Sequence, residues 1–404
     1  MLDERETQTL REVADEYGTP VYVYLEERLR KAATLFMNSF EAVGGGLAAY
    51  AYKANSNPTL CAILREEGFG AEVASLGELS VALAAGVKPE RVVFNGVGKL
   101  GSELEHAVDV GVGFVNAENP TEAKLLARLI RSKSSTTRMG FRLNLDVEVA
   151  VDHKGLATGA RVHKFGIDPE TVFKLIKDEE VRKTWRGLHF HVGSQLKKVE
   201  RRLDALSKAL AVASKAVEKH GVGFEFIDVG GGFYFDYSTG EPQQLRETLA
   251  STAETVKRWA NEVGVEPPLL VVEPGRCVVA SCGFLLTKVL YVKEVHGVKW
   301  AILDAGMGEF LRPALYGAEH RVSLLEAREG REDVWLGGPY CESTDVLGRS
   351  RLPPFREGDL LAIHDVGAYG YSMSSNYHAR PRPPEVLVTA KGEIELLRPR
   401  IGPP

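Results

Sequence analysis

The feature that most constrains the fold is an alternation of short apolar runs and helical patterns between residues 47 and 275. The runs are LAAYAYK (47–53), AEVAS (71–75), RVVFN (91–95), GFVN (113–116), RMGFRLN (138–144), GLHFHV (187–192), FEFIDV (224–229) and LLVVE (269–273). Apolar residues at helical spacing lie between them, most clearly in 201–221 and 246–264. Eight such repeats over about 230 residues are typical of a (β/α)8 barrel. The sequence therefore predicts a barrel domain over residues 27–275.

The rhythm changes after Pro274. Strand-like segments separated by turns follow, among them FLLTKVLYV, WAILDAG, DVWLGG, DLLAIHD, EVLVTA and EIELLRP. The early segment TPVYVYLE (19–26) has the same alternating character. We therefore predict an α/β barrel followed by an all-β sandwich or barrel, the β domain comprising residues 1–26 and 276–404.

Composition and charge exclude several classes of protein. The net charge of −5 gives no basic field for nucleic acid. No apolar run reaches the roughly 20 residues of a membrane span, and the charged segment MLDERETQTLREV is unlike a signal peptide. The four cysteines are scattered without metal spacing, which suits a reducing compartment. These observations predict a cytoplasmic enzyme without a nucleic-acid or membrane partner.

Barrel enzymes carry their active site at the carboxyl ends of the strands, and phosphate groups favour the loops after strands seven and eight. Predicted strand seven ends in the run Gly230, Gly231, Gly232, whose backbone can approach a phosphate closely. Strand eight ends in Glu273-Pro274-Gly275-Arg276, strand one in Lys53, and strand six in the segment from His189 to Ser194. A lysine, a phosphate cradle, an aromatic ring and a carboxylate on one rim match the requirements of pyridoxal phosphate.

Two other segments contain residues typical of a zinc site and of a dinucleotide-binding site. His189 and His191 would lie on one face of a strand and could hold zinc, but no third ligand is evident and no metal is predicted. The segment Gly96 to Gly101 matches a dinucleotide-binding fingerprint, with Glu118 near the distance for a ribose contact. This segment follows the third strand of a barrel rhythm, however, and not the first strand of an open sheet.

The motifs resemble those of the diaminopimelate decarboxylases, a family of fold-type III pyridoxal-phosphate enzymes related to ornithine decarboxylase and alanine racemase. The resemblance runs nearly from end to end through YAYKANSNP (50–58), EVASLGEL (72–79), HKFGI (163–167), GLHFHVGSQ (187–195), DVGGGF (228–233), EPGR (273–276), DAGMGEFLRPALYGAEH (304–320), GPYCESTD (338–345) and GAYGYSMSSNY (367–377). Nine ordered motifs are far more specific than any one of them. The chain departs from the family pattern in GGGFYF and in NYHARPRP.

The resemblance implies a pyridoxal 5'-phosphate site. Lys53 would bind the cofactor covalently, His191 would stack on its ring with His189 behind it, and Glu273 would keep the pyridine nitrogen protonated. The phosphate would be held by Gly230, Gly231, Gly232, Ser194, the backbone of Gly275 and Arg276, and Tyr369, with Pro274 in the same motif.

The resemblance also implies a substrate and a mechanism: decarboxylation of meso-2,6-diaminopimelate to L-lysine, the last step of lysine biosynthesis. Arg276, Arg312 and Tyr316 would bind the carboxylate at the unreacting end. Glu342 would pair with the distal ammonium, Tyr369 would contact both substrate and cofactor, and Cys341 would protonate the carbanion. Because Cys341 and Glu342 serve the partner subunit's site in this family, a homodimer with shared active sites is expected.

Related activities remain open at this point. A decarboxylase of ornithine, arginine or a carboxylated polyamine would give Arg312 and Tyr316 no distal carboxylate to bind. An amino-acid racemase of this type would carry a cation at the pyridine nitrogen, where this chain has Glu273. An inactive, regulatory relative would be expected to lack Lys53 or Cys341, and both are present.

Overall fold

A computed structural model describes residues 2–147 and 163–402. The chain forms two compact units. One comprises Ala33–Phe235 and Pro242–Gly275, and the other comprises Met1–Ala32, Asp236–Glu241 and Arg276–Pro404. Two-residue strands, β9 (Phe235–Asp236) and β10 (Glu241–Pro242), mark where the chain leaves the first unit and returns to it.

The first unit is a closed barrel of parallel strands, which confirms the predicted fold class. Its strands, in order around the barrel, are β2 (Leu47–Ala51), β3 (Gly70–Val73), β4 (Val92–Phe94), β5 (Phe114–Ala117), β6 (Arg138–Arg142), β7 (Trp185–His189), β8 (Phe226–Asp228) and β11 (Leu269–Val272). The barrel closes where β11 pairs with β2, Val271 lying opposite Leu47. Every apolar run singled out in the sequence overlaps one of these strands.

Helices follow most of the barrel strands, and local sequence explains where they begin. Helix α2 (Glu26–Glu41) precedes β2. The helices that follow barrel strands are α3 (Pro58–Glu66), α4 (Leu76–Ala84), α5 (Gly101–Asp109), α6 (Pro120–Ser132), α7 (Pro169–Leu175), α8 (Glu179–Thr184), α9 (Val199–His220) and α10 (Leu245–Val263). Asn57 caps α3 ahead of Pro58, and the Ser75 side chain accepts the Glu78 N–H at the start of α4. Two of the family-like motifs, YAYKANSNP and EVASLGEL, therefore also encode helix starts.

The barrel interior has an apolar layer beneath its polar mouth. Leu47, Ala49, Val93, Phe114, Phe226 and Val271 form a buried cluster. The rings of Phe114 and Phe226 meet edge to face, with centroids 4.8 Å apart. Gly187 on β7 leaves the room that Phe226 fills, because a Cβ at Gly187 would lie 2.1 Å from the Phe226 ring. The apolar layer therefore closes the barrel below the strand ends.

The second unit is built on a nine-stranded mixed sheet. Its strands are β1 (Val21–Leu25), β12 (Gly283–Val295), β13 (Val298–Leu303), β14 (Val322–Leu324), β15 (Glu332–Gly337), β16 (Val346–Leu352), β17 (Leu360–His364), β18 (Glu385–Val388) and β19 (Ile394–Arg398). The main path runs β16-β15-β13-β12-β1-β18-β19, and β17 joins β14 to β12. The long strand β12 pairs with β1 and β17 through its first half and with β13 through its second.

The alternating segment near the amino terminus belongs to this sheet. Strand β1 lies between β12 and β18, with Val21 opposite Leu286 and Tyr22 beside Glu385. Among its described residues, the unit also contains α1 (Glu4–Tyr17), the start of α2, α11 (Arg276–Val279) and α12 (Arg312–Tyr316). Within the described residues, no helix has the length and apolar character to cross a membrane.

Candidate active site

Lys53 lies at the mouth of the barrel. Strand β2 gives way after Ala51 to a 3-10 turn, Tyr52–Ala54, which carries the lysine out of the sheet. The Nζ atom of Lys53 contacts the carboxylate of Glu72 on β3. The Lys53 side chain is 42% exposed whereas that of Glu72 is 2% exposed. An accessible amine is thus anchored on one side by a buried carboxylate.

A connected layer of polar side chains caps the apolar interior. The Asn95 amide donates to Glu72 over 3.1 Å and also to Glu273, and the Asn116 amide donates to Asn95 over 2.9 Å. These residues lie at or just after the carboxyl ends of β3, β4, β5 and β11. Sequence reasoning assigned no role to Glu72, Asn95 or Asn116. The available signal was a polar residue near the end of three successive apolar runs.

Glu273 is a buried carboxylate held in its charged form. It follows β11, is 3% exposed, and lies 3.6 Å from Nε2 of His189. Burial alone would raise the pKa of Glu273, but the adjacent His189 and the charge of Lys53 outweigh burial and lower it.

The opposite holds for Asp228, at the end of β8. Burial and the neighbouring charge of Glu273 raise the pKa of Asp228 well above its ordinary value. Its carboxyl group hydrogen-bonds Glu273 and accepts the Gly230 N–H over 3.0 Å. The two carboxyl groups therefore titrate as a pair, in which the raised pKa of Asp228 favours the proton there and the lowered pKa of Glu273 favours the negative charge there.

The two histidines occupy different environments, contrary to the expectation that they share a strand face. Strand β7 ends at His189, and His191 lies beyond it, where its Nδ1 accepts the Gly231 N–H over 3.1 Å. Loss of hydration and the charge of Lys53 lower the pKa of His191 well below its usual value, so its ring is neutral. His189 instead lies with Asp228 and Glu273, and the potential ligand atoms of these three lie within 4.8 Å of one another.

The glycine run forms a close-packed turn after β8. Gly230 and Gly232 have φ of 67° and 84°, which side chains other than glycine rarely adopt. A Cβ at Gly231 would lie 2.3 Å from the Glu273 carbonyl oxygen, and one at Gly232 would lie 2.2 Å from that of Gly193. The sequence requires glycine at this turn for both conformation and space.

Arg202 on α9 supports the glycine run from within the protein. It is 2% exposed, and its guanidinium donates to the carbonyl oxygens of Val229, over 3.1 Å, and Gly231. The guanidinium also lies over the Phe233 ring at 4.6 Å. These bonds fix the orientation of the peptide groups in the turn. Sequence reasoning missed Arg202 because it lies in an ordinary-looking helical pattern.

The segment Gly96 to Gly101, which matches the dinucleotide-binding fingerprint, is held in place by internal bonds of its own lysine, Lys99. Lys99 pairs with Glu122 over 2.7 Å and donates to the carbonyl oxygens of Gly96 and Asn116. Its side chain is fully buried. Glu118, which would contact a ribose, is bound by Arg142 at 2.6 Å. The segment is therefore a structural loop of the barrel, and the geometry does not support a nucleotide site.

A second cluster of predicted residues lies in the β unit. Arg276 at the start of α11 and Arg312 at the start of α12 are 7% and 3% exposed. Both guanidinium groups donate to the hydroxyl oxygen of Tyr237, over 2.5 and 2.6 Å. Arg312 also bonds His320 over 2.9 Å. Neither Tyr237 nor His320 was assigned a role from the sequence.

The predicted tyrosines lie near this cluster or on its helix. The Arg276 guanidinium lies 4.9 Å from the centre of the Tyr369 ring, and Tyr369 has φ of 57°, an uncommon conformation for a bulky residue. Tyr316 is the last residue of α12 and is half-buried. The unit therefore gathers two buried cations and an aromatic wall around one hydroxyl group.

Cys341 and Glu342 lie in the exposed turn between β15 and β16. Glu342 accepts a 2.5 Å hydrogen bond from the hydroxyl group of Tyr377, whose ring stacks on that of Tyr340. A hydrogen bond across the turn stabilises it, since Asp345 accepts the Tyr340 N–H over 2.7 Å. The sequence-predicted proton donor is thus solvent-accessible on a well-anchored turn.

The fold and residues agree with comparisons to known proteins. A sequence model for the pyridoxal binding domain of the pyridoxal-dependent decarboxylases matches residues 26–280. Diaminopimelate decarboxylase of Methanocaldococcus jannaschii is 36% identical, covering 96% of this chain and 90% of that protein. The enzyme of that name from Helicobacter pylori strain J99 is also 36% identical, covering 96% and 95%. A crystal structure of diaminopimelate decarboxylase from Helicobacter pylori complexed with L-lysine superimposes with a TM-score of 0.86 at 32% identity, covering 97% of each chain.

A barrel with a mixed β sheet and a lysine at the barrel mouth thus defines the class of pyridoxal-dependent decarboxylases. The match of the family model to more than half of the chain supports the same class. Within that class, the chain belongs to the diaminopimelate decarboxylase family, since the similarity to those enzymes extends over nearly its full length.

Proposed function

We propose that this protein uses pyridoxal 5'-phosphate to decarboxylate meso-2,6-diaminopimelate to L-lysine and carbon dioxide. One observation carries the cofactor chemistry: Glu273 is buried, yet the lowered pKa keeps it ionised, and the proton of the pair resides on Asp228. A fixed negative charge at this position would hold a pyridine nitrogen in its protonated form. The relatives named for diaminopimelate support the choice of substrate.

The residues present fit the cofactor. The glycine turn, where a Cβ would meet backbone oxygens at 2.2–2.3 Å, allows the backbone to approach a phosphate. We propose that Gly230, Gly231, Gly232, Ser194, the backbone of Gly275 and Arg276, and Tyr369 hold the phosphate and that Lys53 holds the aldehyde carbon. When bound, pyridoxal phosphate supplies an electron sink for the electron pair released by bond cleavage.

His191 would provide a neutral surface for the cofactor ring. Its lowered pKa removes the charge, and the Gly231 N–H fixes the ring through Nδ1. Lys53 is positioned by its contact with Glu72, which in turn is bound by Asn95. The polar layer therefore positions Lys53 and Glu273 before substrate binds, and such orientation is a main contribution of a protein to catalysis.

The substrate carries a carboxylate at the end remote from the reaction. We propose that Arg276, Arg312 and Tyr316 bind this carboxylate, that Glu342 pairs with the distal ammonium group, and that Tyr369 orients the substrate. Cys341 would then deliver the proton of its Sγ atom to the carbon that loses carbon dioxide. A decarboxylase of ornithine or a carboxylated polyamine is the second candidate, but two buried guanidinium groups favour a substrate with a second carboxylate. Glu273 disfavours a racemase.

We further propose a homodimer in the cytoplasm. Cys341 and Glu342 are exposed on a turn of the β unit, as expected for residues that serve a partner subunit's site. None of the four cysteines, all of which lie in the described residues, forms a disulfide bond, as is usual in reducing compartments. Mixing Lys53→Ala and Cys341→Ala chains tests the shared site: each variant alone should be nearly inactive, and re-associated mixtures should recover up to a quarter of parent activity, about the share expected from random pairing. No recovery in a verified mixed dimer would contradict it.

The absorbance spectrum and products of the purified protein test the reaction itself. We expect an absorption band from lysine-bound cofactor, its loss in Lys53→Ala, and release of lysine and carbon dioxide from meso-diaminopimelate. If the protein binds the cofactor but acts only on ornithine, the proposed cofactor is supported and the proposed substrate is wrong. If the protein binds no pyridoxal phosphate, the whole proposal is wrong.

A further inference from the structure

The two buried arginines of the β unit are joined through one hydroxyl oxygen. The Tyr237 hydroxyl accepts from Arg276 over 2.5 Å and from Arg312 over 2.6 Å. The Arg312 guanidinium also lies 5.0 Å from the centre of the Tyr237 ring. Two like charges repel when water is excluded from around them. A shared acceptor between them offsets this repulsion and fixes their separation.

Arg312 is held from its other side by a histidine. His320 Nδ1 lies 2.9 Å from the His364 carbonyl oxygen. A carbonyl oxygen can only accept a hydrogen bond, so the N–H of this imidazole is on Nδ1. Nε2 of His320 is then an acceptor, and it lies 2.9 Å from the Arg312 guanidinium. His364 is bonded in turn to Ser323 over 2.8 Å. His320 is thus fixed by a chain of hydrogen bonds in the tautomer that binds Arg312.

The groups that hold Arg312 leave its charge uncompensated. Neither of these partners is a carboxylate: Tyr237 offers a hydroxyl group, and loss of hydration together with the Arg312 charge lowers the pKa of His320 well below its usual value, so the imidazole is neutral. Nε of Arg312 has no hydrogen-bond partner among the described residues. A buried cation with no carboxylate on either side and an unused donor favours an anionic ligand.

We propose that Tyr237 and His320 are positioning residues that set the two guanidinium groups as a clamp for the remote carboxylate and thereby make that carboxylate a requirement for binding. This inference rests on the proposed function and deepens it, since it identifies which residues decide the substrate class. Sequence position gives no hint of the arrangement: Tyr237 lies in the segment Asp236–Glu241, which interrupts the barrel sequence.

L-lysine and cadaverine provide a direct test because they differ only by one carboxylate. The holoenzyme is assayed for inhibition by each compound and for KM and kcat with meso-diaminopimelate. We expect Tyr237→Phe to raise the inhibition constant of L-lysine and the KM about tenfold or more. The cadaverine constant and kcat should change less than about twofold, because the clamp acts away from the reacting bond. Tyr291→Phe, at a tyrosine that is 64% exposed on β12, is the matched control.

His320 is tested by a pair of variants. His320→Gln keeps an acceptor near the position of Nε2 and should retain most of the preference for L-lysine over cadaverine, whereas His320→Leu should lose it. His106→Gln, at an exposed histidine of α5, is the control. An unchanged lysine-to-cadaverine ratio in Tyr237→Phe overturns the role of Tyr237, and equal behaviour of the Gln and Leu variants overturns that of His320.

Failure of the proposed function and failure of the arginine clamp give different experimental results. If the parent protein does not decarboxylate diaminopimelate, the proposed function falls. If such a protein still prefers L-lysine to cadaverine and Tyr237→Phe abolishes the preference, the clamp stands. If the parent decarboxylates diaminopimelate but does not discriminate between the two amines, the clamp is wrong and the function is retained.

Discussion

Arg202 is expected to control cofactor affinity although it lies beneath the glycine turn and would not touch the cofactor. Its guanidinium donates to two buried carbonyl oxygens, those of Val229 and Gly231. A hydrogen bond from a charged donor contributes about 1.5 to 3 kcal/mol. Replacing Arg202 by Met removes both bonds and leaves the carbonyl groups without these donors. The expected cost to the ordered turn is about 3 kcal/mol or more.

If the turn must be ordered at that cost when the phosphate binds, cofactor affinity falls about a hundredfold. The assay is titration of the apoenzyme with pyridoxal phosphate, followed by absorbance, so no turnover is required. Arg201→Met is the matched control, because Arg201 is the exposed neighbour on the same helix. Arg202→Lys keeps the charge and one bond and should fall between. Parent-like affinity in Arg202→Met, or an equal loss in Arg201→Met, would refute the reasoning.

Three further predictions concern the barrel. Gly187→Ala should destabilise the barrel by about 1 to 3 kcal/mol, because the new Cβ would meet three atoms of the Phe226 ring at 2.1–2.4 Å. Adding Phe226→Leu should restore much of the thermal midpoint, and the absence of such rescue would point to another cause. Because the folded-state pKa of Asp228 is raised, its stabilising contribution is complete at acid pH and is lost as the pH rises through the raised value. The thermal midpoint of Asp228→Asn should therefore depend less on pH in that range than the midpoint of the parent protein does. Parallel plots of midpoint against pH for the two proteins would contradict the assignment. Lys99→Met should lower the free energy of unfolding by about 3 to 5 kcal/mol, because it leaves Glu122 buried without its partner. In denaturant unfolding, adding Glu122→Gln should restore part of this stability. An unchanged unfolding midpoint in Lys99→Met alone would contradict a stabilising role for the ion pair.

The barrel could be predicted from sequence because each strand and helix is encoded locally. The apolar runs are short, the intervening helices show a clear apolar face, and residues such as Asn57 and Ser75 cap helices within a few positions of the motif that contains them. Strands β14 and β16 were not predicted. Strand β16 is rich in Arg, Ser and Gly, and β14 has only three residues, so neither carries a strong apolar signal.

The sequence by itself determined which chemical groups are present: a lysine, a glycine turn and a carboxylate at the ends of barrel strands, and two arginines and a cysteine farther along. Only the tertiary structure decided their states. Asp228 and Glu273 lie 45 positions apart, and the structure puts the proton on Asp228 because burial and mutual repulsion forbid two charges there. Likewise Tyr237 and Arg312 are 75 positions apart, and their contact follows from the folded chain. Ionisation and hydrogen bonding depend on distance and dielectric in space, which a one-dimensional pattern does not contain.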